Sequence, residues 1–260
     1  MENLKTKITR TIAVRIHTVN IHRTVHVIGL VLRDARGPAT QREGPRLTSL
    51  VKPRDFDLAT LTFEREIHRM RITTAAGTSD LRPQALYDDA VRLGFKRKAS
   101  DAGLYLFDNF KDFDGRTYVA INNYLGAQQA LCTLNEAADT LTVVGHFNGP
   151  GEPALTEPAV NRLPDGSWLA ISRKENGDRN YWFSESRDGR TWTTGGEKAF
   201  VKNGAASKPT FDRFKGVYYL GWQERTQIDK VSRSVFNLDV SKDGRTWERK
   251  YRFETTKSFQ

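Results

Sequence analysis

Ser-Arg-Asp-Gly-Arg-Thr-Trp at residues 186–192 returns almost unchanged as Ser-Lys-Asp-Gly-Arg-Thr-Trp at residues 241–247, 55 positions further along the chain. In both copies a short run in which apolar and polar residues alternate comes before the serine. An Asp-Gly pair favours a tight hairpin turn, because glycine adopts a left-handed backbone and Ser or Asp side chains bond the amides of the turn. A hairpin that occurs twice predicts a repeat architecture.

The repeated unit is longer than the heptapeptide. A second kind of turn, ending in Gly115, Gly166 and Gly216, recurs at intervals of 51 and 50 residues, and an apolar strand-like run follows each glycine. The unit is therefore predicted to be strand, turn, strand, loop, strand, Asp-Gly turn, strand. Four short strands in about 50 residues is the size of a propeller blade. In the first unit, residues 134–143 stand where the heptapeptide would be.

The two heptapeptides resemble the Asp-boxes (BNR repeats) of the sialidase-like propellers, and the resemblance covers roughly residues 100–255. It implies an all-β, sialidase-type β-propeller, of which about three blades are recognisable as part of a six-bladed ring. In that family the boxes are structural. The positions expected to hold these turns are Ser186, Asp188, Gly189, Trp192, Ser241, Asp243, Gly244 and Trp247. A calcium loop needs more oxygen ligands than the heptapeptide offers, so no metal or cofactor is predicted.

The sequence changes character near residue 80. Only two aromatic residues, Phe56 and Phe63, occur before that point, and no blade repeat is visible there. We therefore divide the chain into an atypical basic segment, residues 1–80, and a region of Asp-box propeller blades, residues 81–260.

Composition excludes several classes of function. The formal net charge is +10, but in the blade region acidic residues are interleaved with the basic ones, and no DNA- or RNA-binding motif is present, so nucleic acid is not an expected partner. No apolar run is long enough to span a membrane. The single cysteine, Cys132, lies in an apolar stretch and is predicted to be a buried structural thiol.

The resemblance also points to candidate site residues. Glu157 looks like the glutamate that activates the family's catalytic tyrosine at the start of an inner strand, and Arg173, 16 residues on, looks like one of the arginines that bind the substrate carboxylate. Arg225, one blade later, resembles a second such arginine. A bidentate guanidinium suits a carboxylate. The simpler alternative is an ordinary ion pair between Glu157 and Arg173 at the strand ends.

The resemblance implies a glycoside hydrolase that acts on acidic glycans, with an exo-sialidase acting on sialosides as the default. The family's nucleophilic tyrosine and its first arginine are not identifiable here, so the alternative is a non-catalytic propeller that binds carbohydrate or protein. A polysaccharide lyase would need a Tyr/His pair, for which the blade region offers a single histidine, His146. The resemblance suggests a secreted or periplasmic protein, although the sequence shows no clear signal peptide.

Overall fold

A computed structural model shows an almost entirely β protein. The described residues are 70–95, 104–123, 127–149, 151–175, 178, 180–201 and 203–259, with the backbone of three short strands before them. Those three form an antiparallel sheet in the order β1-β2-β3: β1 (Thr24–His26), β2 (Asp55–Asp57) and β3 (Thr62–Phe63). Within the described residues, no helix has the length and apolar character needed to cross a membrane.

The first large sheet has the strand order β5-β4-β10-β9-β8-β6, and β7 pairs with the other end of β8. Its strands are β4 (Arg71–Thr74), β5 (Gly77–Asp80), β6 (Leu104–Leu106), β7 (Lys111–Phe113), β8 (Arg116–Asn123), β9 (Gln128–Leu134) and β10 (Thr140–His146). Only β4 and β10 run parallel; the other pairs are antiparallel. Helix α1 (Pro83–Arg92) packs against this sheet.

Two further antiparallel sheets follow in chain order. The second contains β11 (Leu155–Arg162), β12 (Trp168–Lys174) and β13 (Tyr181–Ser186). Where a fourth strand would pair with β13, only isolated bridges are present, at Ser186–Trp192 and Phe183–Gly196. After a 3-10 turn (Ala199–Val201), the third sheet contains β14 (Thr210–Phe214), β15 (Val217–Gln223), β16 (Val235–Ser241) and β17 (Glu248–Glu254). The predicted four-strand unit is complete in this third sheet.

The x-Gly turns explain how the repeated hairpins form. At the β7–β8 turn both Asp114 and Gly115 have positive φ, 51° and 71°, and at the β14–β15 turn Lys215 and Gly216 have φ of 48° and 80°. Two consecutive residues with positive φ match the right-handed twist of the strands that they join. The spacing of Gly115, Gly166 and Gly216 therefore marks the β7–β8, β11–β12 and β14–β15 hairpins, as the sequence predicts.

Both heptapeptides fold into the same turn. The Ser186 hydroxyl accepts a hydrogen bond from the Gly189 amide at 2.8 Å, and Asp188 Oδ1 accepts from the amides of Arg190 and Thr191 at 2.8 and 2.9 Å. The equivalent bonds of Ser241 and Asp243 measure 2.7–2.8 Å. Each tryptophan indole donates to the glycine carbonyl of its own turn. In both copies the serine and aspartate side chains thus bond the amides of the turn.

The sheets pack face to face like consecutive blades. One core, between the first and second sheets, consists of Ala120, Leu131, Phe147, Val160, Trp168 and Ala170. The next, between the second and third sheets, includes Ile171, Phe183, Phe211, Leu220 and Trp222. The innermost strands β7, β11 and β14 meet where these cores converge. The fold is therefore the predicted all-β arrangement of blades.

A third core lies on the outer face of the first sheet, where α1 covers it. Leu86 and Ala90 of the helix are buried there, and so is Cys132 of β9. Burial raises the pKa of the Cys132 thiol, and the negative charge of Asp89 raises it further. The thiol is thus buried and kept protonated, in agreement with the structural role predicted from the sequence.

The boundary predicted at residue 80 needs a correction. The β4–β5 hairpin belongs to the first sheet, because β4 pairs with β10, and Met70 and Ile72 are completely buried in the core beneath α1. Residues 70–80 are therefore part of the blade region and not of a separate segment. The rest of the proposed segment, apart from its three short strands, lies outside the described residues.

Candidate functional site at the strand ends of the second sheet

The two best candidate residues lie where the inner strand of the second sheet begins and where its neighbour ends. Glu157 follows the start of β11, and Arg173 lies near the end of β12. A bulge shifts the register between Thr156 and Ala159, and Glu157 has a φ of 50°, a left-handed conformation that is strained for a side-chain-bearing residue. Its amide donates to Asn122 Oδ1 at 3.0 Å, so the first sheet helps to hold the bulge.

Arg173 is held between two carboxylates. Its Nη1 lies 3.0 Å from Glu157 Oε2; its Nε and Nη2 lie 2.9 and 3.2 Å from the two oxygens of Glu175. The Thr156 hydroxyl donates to Glu175 Oε1 at 2.6 Å and fixes that carboxylate. The side chains of Arg173 and Glu157 are each only 13% exposed. We call Glu157, Arg173 and Glu175 the carboxylate clamp.

The contacts in the clamp agree with one expectation from the sequence and differ from another. Glu157 and Arg173 do lie side by side, as predicted. Arg173, however, was expected to be free to meet a substrate carboxylate, and its guanidinium is bound by two carboxylates of the protein itself. Sequence reasoning missed Glu175. The available signal was its position two residues after Arg173, because residues i and i+2 of a strand point to the same face.

Two amide side chains of the first sheet bond the strand ends that carry the clamp. Asn122 and Gln129 are completely buried at paired positions on β8 and β9. The Ser172 hydroxyl, next to Arg173, donates to Gln129 Oε1 at 2.8 Å. Among the described residues, the Nε2 group of Gln129 finds no hydrogen-bond partner. These amides therefore hold the Glu157 backbone and the Ser172 side chain next to the clamp.

Tyr181 is the tyrosine that pairs with Arg173 across β12 and β13. It is 1% exposed, and its hydroxyl contacts Ser207 Oγ at 2.7 Å and accepts from the Gln223 amide at 3.1 Å. Burial raises its pKa to about 12, and the nearby negative charge of Glu157 also acts in that direction. A buried, protonated and hydrogen-bonded phenol is unsuited to act as a nucleophile.

Arg225 lies outside the clamp. It is exposed, its amide bonds Asn203 O, and its guanidinium donates to Gly204 O at 3.2 Å, in the connection between the second and third sheets. Its neighbour Glu224 is the more constrained group. Partial burial alone would raise the pKa of Glu224, but hydrogen bonds lower it to about 2. The donors are Arg252, Asn237, Thr226 and Asn203. This carboxylate ties together loops and strands of the third sheet.

Comparisons with known proteins give structural likenesses alone. No family model and no curated protein matches the chain. A protein of unknown function from Dyadobacter fermentans is 14% identical over 60% of this chain and 43% of its own, with a TM-score of 0.46. The GH93 α-L-arabinofuranosidase of Fusarium graminearum is 16% identical over 57% of this chain and 48% of its own, with a TM-score of 0.42. An α-L-arabinanase of Penicillium chrysogenum is 16% identical over 56% and 47%, with a TM-score of 0.37. The chain thus spans less than half of each of these structures.

Proposed function

We propose that the protein binds carbohydrate where β11 begins and β12 ends, with Glu157 as the main acceptor for sugar hydroxyls. The observation that carries this proposal is the carboxylate clamp, in which Glu157 and Glu175 flank Arg173 at the strand ends of the second sheet, and Asn122 of the first sheet holds the backbone of Glu157. Carboxylates and amides are the groups that bond the hydroxyls of a sugar. A few convergent polar groups positioned by a rigid scaffold are typical of ligand sites.

Glycoside hydrolysis at this site is the second candidate, with Glu157 as its catalytic carboxylate. The observation that favours it is that the carboxylates of Glu157 and Glu175 both pair with the guanidinium of Arg173. Most glycoside hydrolases work with a pair of carboxylates. The resemblance specifies an exo-sialidase on acidic glycans, with Arg173 and Arg225 binding the substrate. That form requires an accessible arginine fork, and Arg173 does not offer one.

The test measures binding and turnover separately. Isothermal titration or NMR would follow neutral and acidic mono- and oligosaccharides, and a panel of 4-nitrophenyl glycosides would report hydrolysis. Glu157→Gln keeps the shape of the side chain but removes the charge, and is expected to weaken sugar binding about tenfold, the effect of one charge-assisted hydrogen bond. Turnover that disappears in this variant would establish the hydrolase candidate.

The matched control is Glu185→Gln. Glu185 lies near the opposite end of β13, is exposed by about a third and pairs with Arg245. This control removes the same charge from the same sheet, and sugar binding should remain as in the wild type. Absence of binding to every sugar of the panel would contradict the proposal.

A further inference from the structure

The contacts of Arg173 decide which ligands it can accept. A guanidinium binds a carboxylate best along an edge, through two parallel N–H groups. In this protein the edge formed by Nε and Nη2 faces both oxygens of Glu175, and Nη1 contacts Glu157. Two of the three guanidinium nitrogens therefore face Glu175 and the third contacts Glu157, so that an anionic sugar would have to compete with these carboxylates of the chain.

Glu175 is fixed in this position by more than its charge. Thr156 of β11 donates to it at 2.6 Å, and the backbone amide of Glu175 bonds the carbonyl of Ala154 at 2.8 Å. Its placement two residues after Arg173 puts both side chains on one face of the strand end. With Glu175 ionised, the clamp contains two negative charges and one positive charge, which repels a further anion.

The third sheet carries a different side chain at the position that corresponds to Glu175. The turn glycines Gly166 and Gly216 are 50 positions apart, so the place of Glu175 corresponds to that of Arg225. Arg225 is exposed at that place, whereas the Glu175 carboxylate pairs with the Arg173 guanidinium. Equivalent strand ends in adjacent sheets thus carry side chains of opposite charge.

We infer that Glu175 is a specificity-determining residue: it keeps anions from binding to Arg173, so that the proposed site at the carboxylate clamp selects neutral sugars over acidic ones. This inference rests on the proposed carbohydrate site and narrows its ligand class. It identifies the ligand as a neutral, polyhydroxylated sugar, whose hydroxyls meet carboxylate acceptors without charge repulsion.

The experiment uses matched pairs of ligands that differ in one carboxylate: glucose with glucuronic acid, and galactose with galacturonic acid. Wild-type protein should bind the neutral member of a pair more tightly. Glu175→Gln removes one negative charge and weakens the contact with the guanidinium, so its affinity for the acid member should rise about tenfold, while affinity for the neutral member changes little. The double variant Glu175→Gln/Arg173→Gln should lose this gain.

Glu185→Gln is again the control and should leave the neutral-to-acid ratio unchanged. Thr156→Val provides a second route if Glu175→Gln folds poorly, because losing its hydrogen bond should loosen Glu175 and shift the ratio in the same direction by a smaller factor. Wild-type preference for the uronic acids, or an unchanged ratio in folded Glu175→Gln, would overturn the inference while leaving the carbohydrate site intact. If neither the wild type nor Glu175→Gln binds any sugar, the proposed function and this inference both fail.

Discussion

At the scale of single residues, Asp188 and Asp243 act through their charge as well as through their geometry. The amides of Thr191 and Arg190 lower the pKa of the Asp188 carboxyl, and those of Thr246 and Arg245 do the same for Asp243. A carboxyl whose pKa is lower in the folded state contributes stability above its unfolded pKa, near 4, and loses it as the pH falls. Both turns should therefore weaken in acid.

The substitutions Asp188→Asn and Asp243→Asn test this expectation. Asparagine keeps one carbonyl acceptor but carries no charge, so each variant should melt a few degrees below the wild type at pH 7. That difference should narrow as the pH is lowered from 5 to 3, because these carboxyls have the higher pKa in the unfolded wild type and protonation there favours unfolding. Thermal melts followed by circular dichroism over this range provide the measurement. A difference in melting temperature that stays constant with pH would show that the charge is not involved.

Glu157 and Glu175 illustrate what sequence can predict about a site. The family resemblance singled out Glu157 and Arg173, and the predicted hairpin implied that they lie at adjacent strand ends, because antiparallel neighbours bring such ends together. It could not show that Glu175 takes up the guanidinium, since that depends on side-chain directions at a bulge and on the hydroxyl of Thr156. Pairing between strands was predictable here, and competition among side chains for one partner was not.

At the scale of elements, each heptapeptide turn also contacts the preceding sheet. A methyl group added at Gly244 would lie 2.4 Å from Leu163 Cδ2 of the second sheet. The corresponding turn of the second sheet packs on the first, since Gly189 lies close to Leu131 and Gly145 lies against the carbonyls of residues 189 and 190. Gly189 and Gly244 therefore have two roles: they form the turn, and they allow it to pack closely on the preceding sheet.

A pair of glycine variants separates these two roles. Gly216→Ala places a methyl group at a φ of 80° in open space, so it should cost about 1 kcal/mol of unfolding free energy through backbone strain alone. Gly244→Ala has nearly the same φ, 76°, but meets Leu163, and it should cost about 1–3 kcal/mol more. Urea denaturation of both variants gives the comparison. Equal losses would mean that the turn does not pack tightly on the second sheet.

The elements that sequence missed are those outside the repeat. The β4–β5 hairpin is short, rich in Thr and Ala, and free of aromatic residues, so nothing in its pattern predicts a strand inside a blade. It joins the first sheet through parallel pairing with β10, about 70 residues later in the chain. Repeat spacing reveals local hairpins, whereas long-range pairings of this kind depend on the tertiary structure.

At the scale of the whole molecule, one buried ion pair connects the three large sheets. Lys111 of β7 lies beside Asp108, and both side chains are less than 10% exposed. The Lys111 ammonium also donates to the carbonyls of Val160 in β11 and Phe211 in β14, at 2.6 and 2.9 Å. Asp108 accepts from the Val160 amide at 2.8 Å. Three inner strands thus share one cation where the cores converge.

Lys111→Met should destabilise all three sheets together. The substitution keeps most of the apolar stem but leaves Asp108 buried without its cation, and removing one partner of a buried ion pair costs about 3–5 kcal/mol. Urea unfolding should be followed by tryptophan fluorescence, since all five tryptophans lie in the second and third sheets or their turns, and by circular dichroism for all strands. The transitions should coincide and shift together to lower urea. Lys250→Met, an exposed substitution on β17, should leave the midpoint unchanged. A Lys111→Met midpoint equal to that of the wild type would mean that the sheets are held by their apolar cores alone.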